Sequence, residues 1–178
     1  MKLNKVAMAV AFTAALGSAS VMAADGTTNG VIELSGELVT TPCGLAVESS
    51  PVVVEFGQLP IHALADSARA GNVQKSIVLQ DCDATTAGSA VVTYTPTSVD
   101  PANDALAAFT SGTATGAGIG LVDSGNQTVK WGQATTAVTL VDGKNTIPFV
   151  AFVQADTATT VPTAGDFQST INFSIAYQ

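Results

Sequence analysis

Ser169-Thr170-Ile171-Asn172-Phe173-Ser174-Ile175-Ala176-Tyr177 alternates large apolar residues with small polar ones. In an extended chain Ile171, Phe173, Ile175 and Tyr177 then share one face, the pattern of a half-buried β-strand. The same period recurs upstream. Val52-Val53-Val54-Glu55-Phe56, Ser76-Ile77-Val78-Leu79 and Ala90-Val91-Val92-Thr93-Tyr94 are of strand length, as are Ile119-Gly120-Leu121-Val122 and Ala137-Val138-Thr139-Leu140-Val141. The last of these runs into Asp142-Gly143, a turn signal, before Thr146 to Val153 resumes. Short strands punctuated by Gly, Pro, Asn and Asp predict an all-β sandwich or barrel. Helical signals are confined to His62–Arg69 and Ala102–Phe109, both read as connections.

The first residues predict export. Lys2 and Lys5 precede an uncharged, mostly apolar run from Val6 to Met22, which closes on Val21-Met22-Ala23. That order is the pattern of a secretory signal peptide over residues 1–23, with cleavage after Ala23. The remaining 155 residues suit one domain and contain no second long apolar stretch, so no membrane span is expected in the mature chain. Loss of the two lysines moves the formal charge from −8 to −10, which disfavours nucleic acid and anionic membranes as partners.

Cys43 and Cys82 are the two cysteines, and in an oxidising compartment an even count reads as one disulfide. Closing about 40 residues would restrict the unfolded chain by roughly 4 kcal/mol on the loop-entropy account. Two thiols 39 residues apart, a single histidine and no CxxC pair do not make a metal site, and no cofactor is expected. Catalysis also lacks its parts. His62 is alone, without a Gly-x-Ser-x-Gly elbow, and the carboxylates Asp81/Asp83 and Asp100/Asp104 sit where turn capping explains them. The chain is not expected to be an enzyme.

Residues 24–40 precede the first cysteine and contain Gly30-Val31-Ile32-Glu33-Leu34-Ser35-Gly36. With two large apolar residues on its inward face, this stretch cannot bury much surface alone, and an ordinary edge strand is one reading of it. A second reading comes from the whole pattern. Gly30 to Leu38, Cys43, Val54-Glu55-Phe56-Gly57-Gln58-Leu59, Leu79-Gln80-Asp81-Cys82-Asp83, Gly143-Lys144-Asn145-Thr146-Ile147-Pro148-Phe149 and Phe173 to Gln178 follow one another in a fixed order. Gly165 is fourteenth from the end and Tyr177 is penultimate. In these features the chain resembles the type 1 fimbrial pilins of the chaperone–usher pathway, most nearly a major subunit.

The resemblance implies an incomplete immunoglobulin-like β-sandwich, residues 41–178, that lacks its last strand. It also implies a groove beside the final strand, with Gly165, Ile171, Phe173, Ile175 and Tyr177 serving as acceptor and chaperone-recognition positions. A donor strand from residues 24–40 would fill the groove of a neighbour, with Thr28, Gly30, Ile32, Leu34 and Gly36 pointing inward and Gly30 over a shallow part. The implied partners are a periplasmic pilus chaperone, an outer-membrane usher and neighbouring pilin subunits, and the implied location is a fimbria at the bacterial surface. A minor pilin (adaptor or terminator) or a carbohydrate-binding fimbrial adhesin of the same pathway is the alternative. Adhesins of this family usually add an N-terminal lectin domain and lack the donor strand, and this chain shows the reverse. A secreted β-sandwich hydrolase is disfavoured by the missing catalytic groups.

Overall fold

A computed structural model of the protein describes residues 28–178. The expected signal peptide, residues 1–23, and the first residues of the extension lie outside the described residues. The chain divides into two units, one ending at Glu37 and the other spanning Leu38–Gln178. In the first, residues 28–37 have no regular secondary structure and are exposed throughout.

The second unit is built from nine strands: β1 (Gly44–Leu45), β2 (Arg69–Cys82), β3 (Ser89–Pro96), β4 (Ser111–Gly112), β5 (Ala117–Val122), β6 (Val138–Thr139), β7 (Gly143–Ala155), β8 (Phe167–Gln168) and β9 (Ile171–Tyr177). They form a four-stranded sheet in the order β1-β2-β7-β5, a three-stranded sheet in the order β6-β3-β9, and a short β4-β8 pair. Every ladder is antiparallel. The inward faces of the two larger sheets meet in one core, with Ile77 and Leu79 from β2, Ala90, Val92 and Tyr94 from β3, Leu121 from β5, and Ile147, Phe149 and Ala151 from β7. This is an immunoglobulin-like sandwich, the all-β class read from the sequence.

Local chemistry explains where the strands stop and turn. Cys43 and Cys82 form a disulfide that ties the start of β1 to the end of β2. The expected Asp142-Gly143 turn is present, with Gly143 at φ +86, a conformation that needs no Cβ. Buried Asn145 closes it: its amide nitrogen donates to the Val141 carbonyl at 2.7 Å and its side-chain oxygen accepts from the Val141 N–H at 2.9 Å. Where β2 meets β7 the register slips between Leu79 and Cys82, and Asp81 takes the extra, left-handed position at φ 52.

Both segments read as connections are connections: Ile61–Ser67 is a pair of 3-10 turns, and Ala102–Phe109 is irregular. Asp100 accounts for the latter, because its carboxylate accepts from the N–H groups of Ala102 and Asn103 at 2.7 and 3.1 Å and holds the chain in a turn. Val52–Phe56 alternates in burial as a strand should, yet joins no ladder. The pattern is that of a strand, but among the described residues no strand pairs with it.

Candidate acceptor groove

β9 pairs with β3 from Ile171↔Pro96 to Tyr177↔Ala90, and among the described residues its other edge carries no strand. Thr170 accepts from Thr97, and Gln178 exchanges both backbone bonds with Ser89. Bonding toward β3 therefore falls on the even-numbered residues, by the alternation of an antiparallel ladder. The N–H and C=O groups of Ile171, Phe173, Ile175 and Tyr177 point to the open edge. Those same four side chains are half-buried and packed on the core, while Asn172, Ser174 and Ala176 are exposed.

Across from this edge runs the segment 52–56. Val52, Val54 and Phe56 pack on the same core, and Val53 and Glu55 face outward. Between the two lies a groove of about 980 Å³, walled by 51–57 on one side and 165–173 on the other. Ile77, Tyr94, Ile119, Leu121, Phe149 and Ala151 form its floor. The floor is apolar and uncharged: burial, with the nearby Asp123 charge adding to it, holds the Tyr94 phenol well above its ordinary range. Two walls with unpaired backbone over an apolar floor make a site for an extended peptide that offers its own backbone bonds and alternate apolar side chains.

The walls run in opposite directions. Phe56 meets Phe167 with ring centroids 5.9 Å apart, and Phe167 stacks on Phe109 at 4.5 Å. Phe56 and Ile171 touch the core around Leu64, Ile119 and Val153, whereas Val52, Val54, Phe173, Ile175 and Tyr177 belong to the disulfide-side core alone. The end of 52–56 thus lies by the start of β9, and the groove narrows there between Phe56 and Phe167.

Of the acceptor positions read from the sequence, Gly165, Ile171 and Phe173 line the groove, and Ile175 and Tyr177 continue the same face of β9 beyond it. Gly165 has a further constraint, since a Cβ there would collide with Thr113 and with the backbone of Ala114. The donor positions Thr28, Gly30, Ile32, Leu34 and Gly36 are exposed, Ile32 at 84% and Leu34 at 89%. Sequence reasoning missed the second wall. The alternation of Val52, Val54 and Phe56 was visible, but nothing in one sequence places it opposite the last strand.

Comparison with known proteins agrees with this architecture. The fimbrial protein family profile matches residues 32–178. The chain is 48% identical to a major fimbrial subunit of Proteus mirabilis strain HI4320, over the full length of both. It is 34% identical to Fimbria A protein of Serratia marcescens, again over both full lengths. A chaperone–usher pilus solved in connection with rod uncoiling superposes with a TM-score of 0.73 at 26% identity, covering 86% of this chain and 98% of that one. The P pilus rod subunit gives 0.65 at 27% identity, covering 78% of this chain and all of that one. The chain belongs to the fimbrial protein family, non-enzymatic structural subunits of the chaperone–usher pathway from which surface fimbriae are built.

Proposed function

We propose that this subunit polymerises by strand donation, residues 28–38 of one copy filling the groove between 52–56 and β9 of the next. The observation that carries this reading is a matched pair within one chain: an exposed, alternating apolar segment and a groove with the unpaired backbone to receive it. Thr28, Gly30, Ile32, Leu34 and Gly36 would face the floor, and Leu38, fully exposed and of the same parity, would extend that face. Ile32 and Leu34 would each contribute about 1.5–3 kcal/mol on full burial.

The longer wall favours one direction. A donor antiparallel to β9 extends the antiparallel sheet along the seven residues of that strand, a longer pairing than the parallel one it would make with 52–56. It would bring Gly36 to the constriction between Phe56 and Phe167, where a Cβ has least room, and Gly30 toward Tyr177. Before exchange, an open apolar groove needs another occupant, and a periplasmic chaperone lending a strand serves that role, with an outer-membrane usher as the site of exchange. The relative called a major fimbrial subunit favours the repeating rod subunit over an adaptor, terminator or adhesin.

Deleting residues 24–38 tests the reading. The shortened subunit should still take up a synthetic peptide of residues 28–38 but form no fibres by electron microscopy. Long fibres from the deletion variant would overturn it.

A further inference from the structure

The outward face of the same joint is built from glutamates. On the groove wall the outward residues are Val53, Glu55 and Gly57, all exposed. On β9 they are Asn172, Ser174 and Ala176, followed by Gln178, none of them charged. The outward residues of the donor segment are Val31, Glu33, Ser35 and Glu37. After residue 23 the chain has four cations. Arg69 and Lys75 lie on β2 and Lys144 on β7, in the opposite sheet, and Lys130 lies in the segment before β6. Arg69 is further committed, its guanidinium over the Phe152 ring at 4.1 Å and bonded to the Thr128 hydroxyl. Neither groove wall nor the donor segment supplies a positive charge.

We infer that the joint between subunits carries a like-charge cross-strand cluster, Glu55 of the acceptor between Glu33 and Glu37 of the donor, which makes fibre cohesion depend on ionic strength. The inference rests on the strand-donation reading and adds a determinant to it. A donor antiparallel to β9 runs parallel to 52–56, because those walls are themselves antiparallel. Gly36 across from Phe56 then puts Ser35 across from Glu55, with Glu33 and Glu37 of the donor at its two diagonals. Like charges in neighbouring strands destabilise the pair, and exposed charges are screened by salt.

The test uses fibres of the full-length subunit, heated at low and at high sodium chloride, with dissociation to monomers followed in time. At low salt Glu55→Gln and Glu37→Gln should each slow dissociation by about two- to fivefold, the range of a cross-strand pair. Adding Glu37→Gln to Glu55→Gln should change little further, and high salt should shrink the difference. Glu55→Lys, which converts repulsion to attraction, should slow dissociation further. Equal rates for wild type and Glu55→Gln at low salt, or fully additive effects of the two substitutions, overturn the inference. Coupling of Glu55 to neither Glu33 nor Glu37 likewise overturns it. If residues 24–38 remain necessary for fibres while Glu55→Gln is silent, the charge cluster alone fails. Fibres that form without residues 24–38 instead remove the donor reading itself.

Discussion

Moving the donor segment to the other end of the chain tests groove, direction and energetics together. In an antiparallel arrangement the donor begins beside Tyr177, so residues 28–40 can follow Gln178 through a short turn and fold back along β9. The strand Ile171–Tyr177 has seven residues, and at about 3.3 Å per residue it is about 23 Å long. A four-residue linker reaches at most about 14 Å, enough for a turn but too short for a parallel donor, which must start at the far end of the strand. With the N-terminal copy removed, the relocated variant should be a monomer that needs no partner to stay folded. Truncating both anchors in it, as Ile32→Ala with Leu34→Ala, should remove about 3–6 kcal/mol of burial. For a domain of this size, about 2–4 °C per kcal/mol makes that a fall of roughly 6–24 °C in Tm. Differential scanning calorimetry and sedimentation read the two outcomes. Rescue only by a linker of ten or more residues would mean a parallel donor, and no stabilisation with either linker would mean that the groove does not bind this segment.

The two donor glycines should not be equivalent. Gly36→Leu places a side chain at the Phe56–Phe167 constriction and should reduce fibre formation at least tenfold, with Gly30→Leu the milder change; the reverse order, read from fibre yield, would mean that the donor runs the other way. A pH dependence is expected from a carboxylate outside the groove lining. Burial, together with the hydrogen bond and charge of Asp100, raises the Asp156 carboxyl from 3.8 to about 6, and Asp156 Oδ1 is buried without a partner. Because the folded value is the higher one, the contribution of this group is complete below about pH 4 and is lost as the pH rises through about 6. Asp156→Asn should therefore flatten the change in Tm between pH 4 and pH 7 relative to wild type, and an unaltered slope in thermal melts would show that the pair is not linked to stability.

How much of this was legible in the sequence follows from how the stabilising contacts are distributed along the chain. The alternation in Ser169–Tyr177 sufficed for β9 because its inward face packs on its own core, and the same holds for β3, β5 and the middle of β2. Ladder ends were less legible: β2 continues to Arg69 and β7 to Ala155, where backbone pairing rather than side-chain pattern sets the limit. Val52–Phe56 and residues 28–38 show strand periodicity, yet neither has a ladder. A residue pattern records which face is to be buried, not whether the covering strand belongs to the same molecule. For that reason the outer wall of the groove could not be placed from Val52, Val54 and Phe56 alone, and neither could the match between Glu55 and a donor residue. The proposed donor and acceptor halves lie at opposite ends of one sequence, each satisfying only its own periodicity. On that proposal their register would be set by local features of the joint, foremost the meeting of Phe56 and Phe167, which exists only once the chain has folded. Substitutions at that constriction should therefore shift which donor residues matter, whereas substitutions in the buried core should change only how strongly the domain holds together.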